Sequence, residues 1–301
     1  MERVTINDVG PRDGLQAQAK ILEVSEKLQL IMALTDAKLP AIEVGAFVSP
    51  KAVPAMAGTD EIVRSLPNSD VKYSALIPNL RGYQNGKETG IPLMSLVVAV
   101  TDTMNEKNIR MTTDQALDVC SEVLGVAKLD GIEVQAYVAT AWQCPFEGHV
   151  AQDDVMRVTN RLLKSGAKRI VVADTIGAAA PSEVFDLMAR MSTEFGSDKL
   201  ACHFHDTRGM GVADVYAALD AGIRRFDSSI AGLGGCPFAP GASGNVATED
   251  VVLMCEQMGY DTGIDLKKLL QAADLAIELT GTAKGGRAKK WLEKNHQKIK
   301  S

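Results

Sequence analysis

The sequence predicts an α/β protein, a (β/α)8 TIM barrel with extra C-terminal helices, and three observations predict it. Eight short runs rich in β-branched residues alternate with amphipathic stretches along the chain. Those runs are almost continuously apolar, as strands are when both faces of a sheet are covered. The turn after the first run, GPRDGLQ at 10–16, lacks the glycine fingerprint of a doubly wound dinucleotide-binding sheet.

Taken in order, the first strand falls at 3–9 (RVTINDV), and helical periodicity at 23–38 leads to the second strand at 41–47. Strands three and four are read at 71–77 and 93–100. A helix at 112–128 precedes strand five at 131–139, and one at 151–165 precedes strand six at 169–174. Helices at 182–195 and 211–221 bracket strand seven at 200–205, and strand eight at 226–231 is followed by a helix at 246–258. Strand–helix alternation implies right-handed βαβ units and a parallel sheet. Eight such units fill roughly 250 residues. No Pro/Gly/Ser-rich or charged linker interrupts them, so residues 1–301 are read as one catalytic domain, with 260–301 as a helical extension.

The bulk numbers fit that reading. The chain has 301 residues, 46% hydrophobic and 23% charged, with a net charge of −6 that gives nucleic acid no attraction. Seven of the 32 basic residues lie in 283–301 beside one acid, leaving 25 positive against 37 negative elsewhere. That segment reads first as a solvated terminus and second as a landing strip for an anionic ligand. Five cysteines, without a CxxC pair, read as reduced thiols and a cytoplasmic home. No signal peptide is expected ahead of the first strand, and the longest apolar run, at 91–100, is too short to cross a bilayer.

A barrel gathers its chemistry at the C-terminal ends of its strands. The polar exceptions to the apolar strands fall there: Asp8, then Arg12 and Asp13 in the first turn, Glu43 on strand two, Asp174 on strand six, and His203 and His205 on strand seven. Residues two apart in a strand share a face, so both imidazoles address one point. Joined by Asp13 they suit a divalent metal such as Mg²⁺ or Mn²⁺. Arg12 is open to two readings, a surface ion-pair partner or a fixed cation for a developing oxyanion. The stretch 232–245 holds five glycines and two prolines and reads as a lid over the mouth, carrying the thiol of Cys236. Asn245 at its end reads equally as a helix cap or as a ligand.

Six motifs then carry a resemblance: VGPRDGLQ (9–16), FVSPK (47–51), CPFEG (144–148), DTIG (174–177), HFHDTRG (203–209) and GLGGCPFAPGASGNVATED (232–250). Together the chain resembles the 3-hydroxy-3-methylglutaryl-CoA lyase family, one of the barrel metallolyases that also include isopropylmalate and homocitrate synthases. The resemblance implies cleavage of a branched 3-hydroxyacyl-CoA to acetyl-CoA and a keto acid, in leucine and ketone-body chemistry. It implies a metal, Mg²⁺ or Mn²⁺, on Asp13, His203, His205 and Asn245. It implies catalytic roles for Arg12, Cys236, His203, Asp174 and Glu43, with Arg12 on the enolate oxygen and Cys236 as proton donor. His203, or a water assisted by Asp174, would take the hydroxyl proton. The acyl-CoA is expected to meet Gln16, Arg12, Lys51 and Tyr137. A homo-oligomer and no membrane or nucleic-acid partner are expected.

The chain departs from that family at Ala46 and Val171, where hydroxyls are usual, at Ala173 in place of a glycine, and at Ala52 in place of a tryptophan. These changes point to an acyl group with a more apolar branch. A Claisen-type carboligase of the same superfamily is the alternative, disfavoured because such synthases append a larger C-terminal domain. A metal hydrolase would carry its HxH on the first strand rather than the seventh. A metal-binding scaffold would need neither Arg12 beside Asp13 nor a thiol in the lid.

Overall fold

The computed structural model describes residues 1–235 and 244–295. Eight parallel strands close into a barrel: β1 (Thr5–Asp8), β2 (Ala41–Ala46), β3 (Lys72–Leu76), β4 (Leu93–Ala99), β5 (Glu133–Ala139), β6 (Ile170–Asp174), β7 (Leu200–Phe204) and β8 (Arg225–Ser228). Each strand pairs with its sequence neighbours, and β1 closes the ring on β8 through Thr5 opposite Arg225 and Asn7 opposite Asp227. A two-residue antiparallel ribbon, 143–144 with 148–149, lies outside the barrel.

Around the strands run α1 (Val24–Asp36), α2 (Thr59–Arg64), α3 (Leu80–Thr89), α4 (Asp102–Ile109), α5 (Thr113–Asp130), α6 (Gln152–Ser165), α7 (Pro181–Phe195), α8 (Gly211–Asp220), α9 (Thr248–Gln257), α10 (Leu266–Thr280) and α11 (Lys289–Asn295). Their starts and stops follow from local chemistry. Thr112 and Gln115 exchange side-chain and backbone hydrogen bonds at the start of α5, and Gly131 ends that helix in the left-handed conformation. α6 buries Val155, Val158, Thr159 and Leu162, the one-sided stripe that docks a helix on a sheet.

Most boundaries shift by one or two residues from the sequence expectation, and two of the shifts bear on the site. β8 ends at Ser228, because residues 230–232 turn as a short 3-10 segment in which Ala231 takes a positive φ of 56°. The following helix begins at Thr248 rather than 246, because Asn245 and Ala247 are extended and bridge to His205 and Ser229. Beyond residue 260, α10 packs against α1 and α11 packs against α10.

The main apolar core lies between strands and helices, where Phe204 and Phe226 are fully buried. Inside the barrel the buried apolar residues form only a small cluster of Tyr137, Val171 and Ala201, with Val97 against it. The remainder of the interior is polar, and that polarity positions the site.

Candidate active site

The first turn after β1 is a π-type turn, 10–14, closed by the Gly14 amide on the Val9 carbonyl at 3.1 Å. Such turns recur at functional sites because they push side chains out of ordinary helical register. Here the turn aims Arg12 and Asp13 into the mouth. Arg12 is buried and donates from Nε to Glu43 Oε2 at 2.5 Å and from Nη1 to Asp13 Oδ1 at 2.7 Å. The surface-ion-pair reading of Arg12 therefore fails: one partner, Glu43, is fully buried on β2. Burial opposes the charge on Arg12, but Glu43 and Asp13 outweigh it and keep the guanidinium protonated. Its Nη2 has no hydrogen bond among the described residues.

Asp13 faces the two imidazoles. His203 Nε2 lies 4.0 Å and His205 Nε2 3.9 Å from Asp13 Oδ2, and one ligand atom from each of the three residues falls within 4.8 Å of the others. Atoms sharing a cation with bonds of about 2.1 Å stand at most about 4.2 Å apart, so the trio matches a divalent metal with little adjustment. Asn245 completes the group. Its Nδ2 donates to Asp13 Oδ2 at 2.8 Å and to the Leu233 carbonyl at 3.1 Å, while its Oδ1 is buried with no partner. The helix-cap alternative for Asn245 is excluded, since the residue flanking α9 is Ala247 and no side chain caps it. An unused buried acceptor beside two imidazoles and a carboxylate is a donor set suited to such an ion.

The charges are mutually tuned. Burial pushes the Asp13 carboxyl up, but Arg12, the two histidines and the Asn245 amide hold it well below the usual carboxylate range. Burial and the neighbouring His203 press His205 down to about 4, leaving a neutral imidazole, the form that binds metals. His203 differs: burial lowers it, yet the hydrogen bond to Asp227 and the charges of Asp227 and Asp13 together outweigh burial and raise it.

Asp227, on β8, was not anticipated from the sequence. Its Oδ2 lies 3.1 Å from His203 Nδ1 and accepts the Tyr137 hydroxyl at 2.6 Å, and its Oδ1 accepts Asn7 Nδ2 at 2.9 Å. A carboxylate behind a metal-facing imidazole fixes its tautomer and orientation. The available signal was an acid at an inward position of an apolar strand, in register with Asn7 and His203.

The other expected site residues divide. Tyr137 lies edge-on to His203, its hydroxyl committed to Asp227, with burial first and Asp227 second raising its pKa. Glu43 holds Arg12 through one oxygen; its Oε1 is buried without a partner, and burial raises its pKa against the pull of Arg12. Asp174 is fully buried at the end of β6 and accepts the Ala178 and Ala179 amides at 3.0 and 2.9 Å. It therefore shapes the loop in which Gly177 has a φ of 66° and a Cβ would meet Thr207 at 2.7 Å. Burial nonetheless raises its pKa above the ordinary value. Gln16 and Lys51 are exposed and form no hydrogen bond or ion pair among the described residues. Cys236 lies outside the described residues.

Of the departures noted in the sequence, Ala173 stands in register beside His203, whereas Val171 and Ala46 border other cavities. Val171 borders a cavity at the barrel's other end, and Ala46 borders an outer cavity with Thr59 and Arg64. At the mouth, Glu249 accepts the Ala231 amide at 3.1 Å and the Gly286 amide at 2.7 Å, while Asp250 accepts the Arg287 and Ala288 amides at 2.7 and 2.9 Å. The segment after α10 is thereby tied to the root of the loop after β8. With Gln18, Asn245, Lys284 and Arg287 it lines a cavity of about 410 Å³.

Comparison with known proteins shows the family to which this fold belongs. The HMGL-like family model matches residues 3–276. A hydroxymethylglutaryl-CoA lyase of Pseudomonas mevalonii is 43% identical, covering 96% of each chain. A 3-hydroxy-3-isohexenylglutaryl-CoA/hydroxymethylglutaryl-CoA lyase of Pseudomonas aeruginosa is 38% identical, covering 97% of each. The solved structure of an HMG-CoA lyase from Acinetobacter baumannii, in complex with coenzyme A and 3-methylmalate, superposes with a TM-score of 0.92 at 37% identity, covering 96% of this chain and 94% of that one.

Proposed function

Because the chain belongs to the HMGL-like family of divalent-metal-dependent carbon–carbon lyases, we propose that it cleaves 3-hydroxy-3-methylglutaryl-CoA to acetyl-CoA and acetoacetate. The observation that carries this reading is the convergence of Asp13, His203 and His205 beside the uncommitted edge of Arg12. In this reading Asp13, His203, His205 and Asn245 hold Mg²⁺ or Mn²⁺. When bound, the ion lowers the pKa of the substrate's tertiary hydroxyl and fixes its orientation.

The remaining chemistry belongs to the chain's own residues. With Nε2 of His203 facing the metal position and Nδ1 held by Asp227, neither ring nitrogen is free to take a proton. That leaves a water in the mouth to accept the hydroxyl proton, because Asp174 is fully buried and commits both carboxylate oxygens to the Ala178 and Ala179 amides. The O–H electron pair then forms the ketone of acetoacetate. The C–C bond breaks toward the thioester, leaving an enolate whose oxygen meets Arg12 Nη2. Glu43 keeps the guanidinium aimed there. Protonation of the enolate carbon by the Cys236 thiol completes acetyl-CoA, a role assigned from the motif alone.

The acyl-CoA reading is supported by the relative solved with coenzyme A. A more apolar branch, as in the isohexenylglutaryl relative, remains within this reading. We further read the protein as a cytoplasmic homo-oligomer; exposed Leu129, Tyr216 and Trp291 offer apolar contact points, and sedimentation would test the assembly. No helix among the described residues is long and apolar enough to cross a membrane. The deciding experiment measures acetyl-CoA release from 3-hydroxy-3-alkylglutaryl-CoA thioesters of increasing branch length, with Mg²⁺ or Mn²⁺. Release from none of them refutes the proposal; a preference for a longer branch replaces the acyl group and keeps the chemistry.

A further inference from the structure

At the end of the barrel opposite the candidate active site lies a cavity of about 190 Å³, bordered by the first residues of several strands. Its polar wall includes Arg169, Arg225, Lys72, Asn7 and Asp227, and Ala201 is the small residue that leaves room between the two arginines. Arg169 Nη1 donates to Gln135 Oε1 at 3.2 Å, but its Nε is buried with no partner. Neither arginine forms an ion pair within the described residues. The nearby acids are already committed. Glu133 is shared by Lys72 at 2.5 Å and Lys168 at 2.9 Å, and Asp227 gives both oxygens to Asn7, Tyr137 and His203. Burial first and Arg225 second lower the Arg169 pKa, and the more distant charges of Glu133 and Asp227 only partly offset them.

Half-buried guanidinium groups without an acid are costly unless something anionic joins them. Room for several waters is also room for one phosphate-sized ion, and the guanidinium fork matches paired oxygens on such an ion. We propose that this cavity is a binding site for a small oxyanion, with inorganic phosphate as its representative, held between Arg169 and Arg225 with Lys72 at the rim. The site lies behind Asp227, apart from the groups assigned to the acyl-CoA, so it does not depend on the lyase reading.

Titration of the full-length protein with inorganic phosphate, followed by ³¹P line broadening, tests it. Potassium chloride holds ionic strength constant throughout the titration. Saturable binding is expected, weakened at least about tenfold in Arg169→Gln and in Arg225→Gln and unchanged in Arg12→Gln. In the unaltered protein, phosphate should also slow hydrogen exchange at the Ile170 and Phe226 amides, a readout that survives if the variants fail to fold. Absence of saturable binding, equal binding by the double arginine variant, or protection confined to the mouth would each overturn the proposal.

Discussion

Asp227→Asn tests whether the carboxylate behind His203 sets the metal centre. In the native arrangement Oδ2 serves both His203 Nδ1 and the Tyr137 hydroxyl, while Oδ1 serves Asn7 Nδ2. An amide can satisfy only one side. With its oxygen toward His203, its NH₂ meets the Asn7 NH₂; turned over, its NH₂ meets the imidazole N–H. The first arrangement is relieved only if the Asn7 amide also turns over to offer its unpartnered Oδ1, the second leaves a donor facing a donor, and in both the negative charge is lost. Removing such an outer partner typically costs 10–100-fold in metal affinity, about 1.4–2.7 kcal/mol. Titration calorimetry with Mn²⁺ should show that loss, with kcat falling alongside. The reciprocal change Asn7→Asp, added to Asp227→Asn, gives the new amide an acceptor and should recover part of the affinity, a coupling that independent sites would not show. Unchanged Mn²⁺ affinity in Asp227→Asn, with the fold intact by thermal denaturation, would refute the reasoning.

Three further outcomes are expected. Arg12→Gln strands Glu43 in a dry site, so thermal stability should drop, by about 3–5 kcal/mol, and kcat should fall at least a hundredfold; adding Glu43→Gln should restore stability but not turnover. His205→Ala and Asn245→Ala should each weaken Mn²⁺ binding in the same calorimetric titration, and an unchanged isotherm removes that residue from the ligand set. Burial raises the Asp8 pKa from 3.8 to about 7, so the folded protein keeps a proton that the unfolded chain releases, and stability should decline as pH rises from about 4 to 7. Asp8→Asn should remove up to roughly 4 kcal/mol of that decline, because Thr248 can turn its hydroxyl toward Ser228 at 2.8 Å; an unaltered stability–pH slope would count against it.

All eight strands were legible in the sequence because a parallel barrel covers both faces of each strand, and the resulting apolar runs differ in length and period from the helices. Asp13, His203 and His205 were legible because their positions at strand ends follow from the barrel itself. What was not legible depends on contacts across the barrel. Asp227 is separated from His203 by 24 positions, joined to it by the register of β8 on β7, and from Tyr137 by 90, reached only across the barrel interior. Asn245 was undecided because its spacing fits a cap; two extended residues before α9 turn its side chain to Asp13. Gln16 and Lys51 were suggested by motif position alone, and no contact among the described residues joins them to the site.

The polar interior has a consequence for how this protein can change. Most barrels fill their centre with branched aliphatic layers, so selection for stability and selection for function act on different residues. Here the centre holds Arg169, Arg225, Asn7, Asp227 and Glu43, several with buried polar atoms left unsatisfied. Aliphatic replacements of similar volume would often make a sturdier barrel and at the same time dismantle the support of the metal centre. Random drift toward stability is therefore drift toward silence, and a laboratory search for heat-resistant variants that ignores turnover should find its winners inside the barrel.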